Sequence, residues 1–384
     1  MSFSSDRDVR YGDDTILDAG DVVTQLGAQR VLLVCGKNAF GASGADRCLP
    51  GLENAAQVRR WSDFRANTDS ADLINGLRIV EEFAPDVVLG VGGGSAMDMA
   101  KLLCAFHTIT DEERLHKAIR AGDSITSRSL KLVLSPTTSG SGSEATRFAV
   151  VYIGEKKFSI AGPAMLPDTV ILDPLLTISA TAYQRATSGI DAFAQAIESL
   201  WASGATDESR GYAKDAMTRI VSALPRFVNE PSAESAGDMA VGSHLAGRAI
   251  DISRTTAAHA LSYGFTKSYG IPHGHAVALT LGAFIEAHVD AEPDRLQDKV
   301  SKDAHSAAMS TILTTLNAST GAQAREAFTG LAESIGLSLR LSDVGVTRAE
   351  QAEDLATRVN VERLGNNPVR YTAAELTQLV AQGL

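Results

Sequence analysis

One short segment restricts the possible folds more than any other. Residues 31–36, VLLVCG, form an apolar run without polar alternation, closed by Gly36. A strand with one wet face alternates, whereas a strand written this way is covered on both faces, as in a parallel sheet with helices above and below. VVLGVGG (87–93) and LKLVLSP (130–136) repeat the pattern, and FAVVYI (148–153) and TVILD (169–173) supply further strands. Between them, Leu73, Leu77, Val80 and Ala84 recur at helical spacing until Pro85 stops the helix. GEKK (154–157) reads as a hairpin turn, which makes part of the sheet antiparallel.

Beyond Asp173-Pro174 the strand-like runs cease, alanine rises, and apolar residues recur at helical intervals to the end of the chain. The boundary is placed at residue 178, giving an α/β domain over 1–178 and an all-α domain over 179–384. Helix breaks are expected near Pro225, Pro231, Pro272, Pro293 and Pro368, and NEPSAESAG (229–237) reads as a loop.

Charge removes several function classes. With 35 Lys and Arg against 46 Asp and Glu the net charge is −11, which offers no electrostatic footprint for nucleic acid and no polybasic membrane anchor. Cys35, Cys48 and Cys104 form no CxxC pair, so neither a disulfide framework nor a cysteine-built zinc site is expected. The polar opening MSFSSDRDVRYGDD shows no signal-peptide pattern, and the apolar stretch around residues 87–106 is broken by Asp98 and Lys101. A cytoplasmic protein without a membrane span is expected.

Three groups of residues, spread over four motifs, carry candidate chemistry. In GVGGGSAMDMAK (90–101) a buried strand runs through Gly92-Gly93-Gly94-Ser95 into a helix, whose exposed N–H groups suit a phosphate; it is not GxGxxG, and a purely structural turn is the other reading. PTTSGSGSEAT (136–146) is a loop dense in hydroxyl donors at the end of another strand. Two such turns at strand C-termini lie where open α/β sheets bind a dinucleotide. The third group is in the helical half: Asp191 and Gln195 in GIDAFAQAIES share one helix face, and His259 and His273 lie in HALSYGFTKSYGIPHGHA. A carboxylate, an amide oxygen and two imidazoles make a divalent-metal set, although spacing alone also fits ordinary polar positions.

Together these four motifs, in this order and spacing, resemble the iron-containing (group III) alcohol dehydrogenases over about residues 30–285. The resemblance implies an N-terminal dinucleotide-binding domain, a helical C-terminal domain, and a cleft between them that holds NADPH or NADH and a divalent metal, Fe2+ or Zn2+. It implies metal ligands at Asp191, Gln195, His259 and His273, with Gln195 standing where the family usually has His. Tyr263 stands where a family His is often considered catalytic, and Tyr263 and His275 are the candidate proton donors. For the cofactor it points to Gly93, Gly94, Ser95 and Asp98 around the pyrophosphate, to Thr137, Thr138 and Ser141 beside the adenosine, and to Lys157. Many members carry an Asp just after the first strand; Gly36-Lys37 stands there, so NADPH is expected to be accepted.

Gln195, Tyr263 and GIPHGHAVAL together are similar to a subgroup associated with phosphonoacetaldehyde reduction. A dianionic aldehyde needs cations in its pocket, for which Arg147, Arg254 and Lys267 are candidates. The expected activity is reduction of phosphonoacetaldehyde to 2-hydroxyethylphosphonate in phosphonate biosynthesis. The alternatives are a general alcohol dehydrogenase of the family and a catalytically degenerate nucleotide-binding protein. A homodimer is compatible with the family.

Overall fold

The strands that read as doubly buried do form one sheet, and its strand order places the ligand crevice. In a computed structural model, which describes residues 8–359 and 361–384, the chain divides between Ala180 and Thr181 into two compact units. The first unit holds β1 (Asp8–Tyr11), β2 (Arg30–Cys35), β3 (Gln57–Trp61), β4 (Val87–Gly92), β5 (Lys131–Pro136), β6 (Phe148–Ile153), β7 (Lys156–Ala161) and β8 (Thr169–Leu172). Six of these build a sheet in the order β1-β8-β5-β4-β2-β3 with every pairing parallel. The hairpin β6–β7 forms at the expected turn but stands as a separate two-stranded sheet, so the main sheet has no antiparallel part. β1 and β3, DVRY and QVRRW, escaped the apolar pattern because they are the edge strands and carry polar residues.

Helices α1 (Ala19–Gln25), α2 (Ala39–Ala42), α3 (Leu49–Ala55), α4 (Ser70–Phe83), α5 (Gly94–Phe106) and α6 (Glu112–Ala121) accompany the sheet. Alternate residues of β2 feed two cores: Leu32 and Val34 join Trp61, Leu77 and Leu103, while Val31, Leu33 and Cys35 join Val22, Phe40 and Leu52. This double burial is the physical content of the unbroken run VLLVCG. From β2 the chain moves outward to β3 and then returns to β4 on the other side of β2. That reversal is a topological switch point, and the crevice beyond the C-terminal ends of β2 and β4 is where such sheets take a ligand.

The second unit is helical: α7 (Ala182–Trp201), α8 (Asp207–Asn229), α9 (Ala233–Ser253), α10 (Ala257–Tyr269), α11 (His273–Val289), α12 (Lys302–Thr315), α13 (Gly321–Ser334), α14 (Ala349–Thr357), α15 (Val361–Leu364) and α16 (Ala373–Ala381). A reciprocal Thr181–Gln184 capping box opens α7. Pro225 does not break a helix; it lies within α8, which continues to Asn229. The expected 229–237 loop shrinks to three residues, because Ser232 caps α9 through Ser235. Pro231, Pro272, Pro293 and Pro368 do lie between α-helices, with Pro293 opening a short 3-10 turn. Among the described residues no helix is long and apolar enough to cross a membrane.

Candidate active site

At the switch point the two polar turns meet. Gly92 closes β4 at φ +154°, a region that favours glycine, and Gly93 begins α5 without a side-chain cap, leaving its first N–H groups for another acceptor. A Cβ on Gly94 would stand 3.0 Å from Ser141 Oγ, and one on Gly93 would stand 3.5 Å from Thr138 Oγ1. Thr137 N donates to Gly92 O at 2.9 Å, which stitches the second turn to the first. Gly93, Gly94, Thr137, Thr138 and Ser141 therefore surround one cradle of backbone donors and hydroxyls, suited to a pyrophosphate.

The helix behind this cradle is anchored by buried charge. Asp98 accepts from Ser143 Oγ at 2.6 Å and from Val150 N at 2.9 Å, so both its oxygens hold the second turn and the hairpin. Burial raises its pKa, opposed by Lys101, these hydrogen bonds and Lys157. Asp98 thus ties α5 to the second turn and to the hairpin. One turn on, Lys101 is fully buried and donates to Thr146 O, Thr146 Oγ1 and Phe148 O. The motif GGGSAMDMAK therefore ends in two structural clamps. Ser95 Oγ accepts from Asn67 N at 3.1 Å, Lys157 is half-buried on β7, and Lys37 is exposed just past β2.

In the second unit three helices converge on one point. Asp191 of α7, His259 of α10 and His273 of α11 bring one ligand atom each within 4.8 Å of one another. His259 Nε2 stands 3.4 Å from Asp191 Oδ1, and His273 Nε2 stands 4.0 Å from it. Asp191 Oδ1 and His259 Nε2 are buried and neither makes a hydrogen bond, which is costly unless a further group lies between them. A carboxylate oxygen and two imidazole nitrogens so disposed fit a divalent metal. Gln195, one turn along α7, donates its amide to Asp191 Oδ2 at 3.0 Å.

Sequence reasoning missed Glu198, which organises this centre from within α7. Its fully buried carboxylate accepts from Thr256 Oγ1 at 2.7 Å and from Ala258 N at 2.9 Å, and it pairs closely with His259 Nδ1. It therefore caps the start of α10, where Thr256 makes no side-chain cap, and turns the Nε2 lone pair of His259 toward Asp191. The available signal was its position, seven residues after Asp191 on the same helix face. Burial opposes a charged imidazolium at His259, but the Glu198 and Asp191 carboxylates overcome it and raise its pKa to about 10. A metal cation would take the place of that proton.

Close packing explains the Gly in GIPHGH. A Cβ on Gly274 would lie 1.9 Å from Thr187 O and 2.7 Å from Asp191 Cβ, so only glycine lets α11 lie against α7.

Tyr263 stacks parallel on His273, with ring centroids 6.0 Å apart. His275 is turned elsewhere: Nε2 donates to Ser338 O at 2.7 Å and Nδ1 accepts from Tyr183 Oη at 3.2 Å. With both nitrogens committed, His275 is a structural residue and not the expected proton donor. Lys267 is exposed in the last turn of α10, about 12 Å along the helix axis from His259, and so is removed from the metal centre. Arg254 ends α9 at φ +66° and ψ 171°, a conformation strained for a residue with a side chain. Asn366 Nδ2 pins that turn by donating to Ser253 O and Thr255 O. In the first unit, Arg147 is half-buried after the second turn.

One chain thus joins a parallel sheet with phosphate-suited turns at its switch point to a helical unit with a largely buried Asp–His–His centre. Residues 6–174 match the iron-containing alcohol dehydrogenase model, and residues 185–384 match that of the C-terminal region of the Fe-containing alcohol dehydrogenase family. The chain belongs to the iron-containing alcohol dehydrogenase family. It is 33% identical over 267 residues to the phosphonoacetaldehyde reductase of Streptomyces viridochromogenes, covering 67% of each chain. It is 29% identical to the 1,3-propanediol dehydrogenase of Klebsiella pneumoniae, covering 88% of this chain and 87% of that one. Among solved structures it resembles sulfoacetaldehyde reductase from Bifidobacterium kashiwanohense in complex with NAD+, with TM-score 0.84 and 28% identity over 99% of this chain and 98% of that one.

Proposed function

We propose that this enzyme reduces phosphonoacetaldehyde to 2-hydroxyethylphosphonate with NADPH or NADH, using a divalent metal at Asp191, His259, His273 and the Gln195 amide oxygen. The observation that carries the reductase reading is the pair of buried, unbonded ligand atoms, Asp191 Oδ1 and His259 Nε2, facing each other beside His273. When bound, the metal supplies Lewis-acid polarisation of a carbonyl.

When bound, NAD(P)H would supply the hydride to the carbonyl carbon and leave as NAD(P)+, and the carbonyl oxygen would take up one proton to give the alcohol. The chain contributes placement. Glu198 holds the His259 ring, Gln195 holds Asp191, and the stacked Tyr263 holds His273 and offers a phenol proton. A phenol of ordinary pKa about 10 suits a donor rather than a base at neutral pH. In the first unit, the cradle of Gly93, Gly94, Thr138 and Ser141 binds the dinucleotide pyrophosphate.

The phosphonate reading is supported by two relatives whose names specify an aldehyde bearing an anionic oxyacid. Arg254 supports it as well, because a strained backbone pinned on both sides is a common property of functional sites. The test is NADPH and NADH oxidation by enzyme reconstituted anaerobically with Fe2+ or Zn2+, comparing phosphonoacetaldehyde with acetaldehyde and other small aldehydes. The reading predicts at least tenfold higher kcat/KM for the phosphonate, lost in R254A. Equal turnover of uncharged aldehydes would leave a general dehydrogenase like the 1,3-propanediol enzyme, and no turnover with either metal would leave a nucleotide-binding protein.

A further inference from the structure

The switch-point crevice has a basic lip that the proposed reaction leaves unused. Arg60 of β3 pairs in register with Leu33 of β2, and its side chain reaches across the end of β2. There Nε donates to Cys35 Sγ at 3.1 Å, Nη2 donates to Lys37 O at 3.3 Å, and the guanidinium carbon lies 4.8 Å from the Phe40 ring centroid. An exposed arginine ordinarily samples many rotamers, so three contacts on one guanidinium fix it in a single place. Its partners among the described residues are a thiol, a carbonyl and an aromatic ring, with no carboxylate. Its Nη1 donors face no protein acceptor among those residues, and the exposed ammonium-bearing Lys37 is part of the same turn.

The position gives this arrangement a meaning. β2 adjoins β4, whose end carries the pyrophosphate cradle, so the end of β2 lies beside the adenosine ribose of a dinucleotide in that crevice. A carboxylate there accepts the ribose 2′-hydroxyl and repels a phosphate, whereas an arginine nearby accommodates a 2′-phosphate. In this chain the segment after β2 is Gly36-Lys37-Asn38, without a carboxylate, and a fixed guanidinium crosses in from the neighbouring strand. We propose that Arg60, with Lys37 beside it, forms a site for the 2′-phosphate of adenosine and makes this enzyme prefer the 2′-phosphorylated dinucleotide. The inference rests on the dinucleotide reading of the crevice but on neither the metal nor the aldehyde.

The experiment is calorimetric titration of the full-length protein with 2′,5′-ADP and with 5′-AMP, in wild type, R60Q, R60K and K37A. Thermal unfolding of each variant confirms that it is folded. Wild type should bind 2′,5′-ADP at least tenfold more tightly than 5′-AMP. R60Q should bring that ratio near one with 5′-AMP affinity unchanged, R60K should fall between because it keeps the charge without the planar fork, and K37A should reduce the ratio less than R60Q. Equal affinity of wild type for the two probes would overturn the proposal. So would an R60Q effect equal on both, which marks Arg60 as a packing residue. Binding of neither probe would remove the dinucleotide reading itself, and the proposal with it.

Discussion

Replacing Gly274 by alanine puts the packing account of the metal centre to a direct test. The new Cβ would stand 1.9 Å from Thr187 O, where ordinary contact begins at 3.4 Å, so α11 must retreat from α7 by about 1.5 Å. His273 heads α11 and Asp191 lies on α7, so the displacement falls on the distance between two ligands. Metal–ligand distances tolerate about 0.2 Å, and losing a contact that merely supports a ligand costs about 10–100-fold in metal affinity, so displacing a ligand itself costs at least the upper figure. G274A should therefore weaken divalent-metal binding at least about 100-fold and lower stability by about 1–3 kcal/mol. Competition with a chromophoric chelator measures the first and chemical unfolding the second. G330A is the control: its Cβ meets nothing within 4 Å on α13, so it should leave metal affinity intact and add up to about 1 kcal/mol of helix stability. If G274A holds metal within threefold of wild type, the close approach of α11 to α7 does not set the ligand geometry.

Two further outcomes follow from buried groups near and beyond the centre. E198Q should cost about 10–100-fold in metal affinity by weakening the hold on His259, and E198A should in addition lose about 0.5–2 kcal/mol by uncapping α10; unchanged chelator competition in both would exclude the positioning role. His288 is fully buried and His305 nearly so, and burial lowers both pKa values, with His305 lowering that of His288 further. The unfolded chain takes up these protons near pH 6.5 and the folded chain only at lower pH, so the contribution of these two groups to stability is level above that pH and falls as pH drops below it. The slope is about 1.4 kcal/mol per pH unit for each group. Denaturant midpoints at pH 7.5 and 5.5 should differ accordingly, and H305Q should remove about half of the difference.

Much of the first unit was legible in the sequence because buried parallel strands advertise themselves. VLLVCG and VVLGVGG are apolar throughout, and LKLVLSP nearly so, since both faces of the sheet are covered, and Gly36 and Gly92-Gly93-Gly94 mark turns at the strand ends. Edge strands β1 and β3 gave no such sign, because half-solvated polar residues are compatible with many conformations. The four motifs likewise announced Asp191, His259 and His273, while the hairpin could be seen but not its separation from the main sheet. Local sequence encodes burial and turn chemistry, so it can name these residues. Which atoms of distant segments face one another is decided only when helices pack. Tertiary structure alone turned His275 away to Ser338 and Tyr183, brought Glu198 under His259, made Gly274 indispensable against Thr187, and carried Arg60 across the end of β2. Each of those facts is a distance between residues far apart in the chain, and no periodicity along the chain contains it.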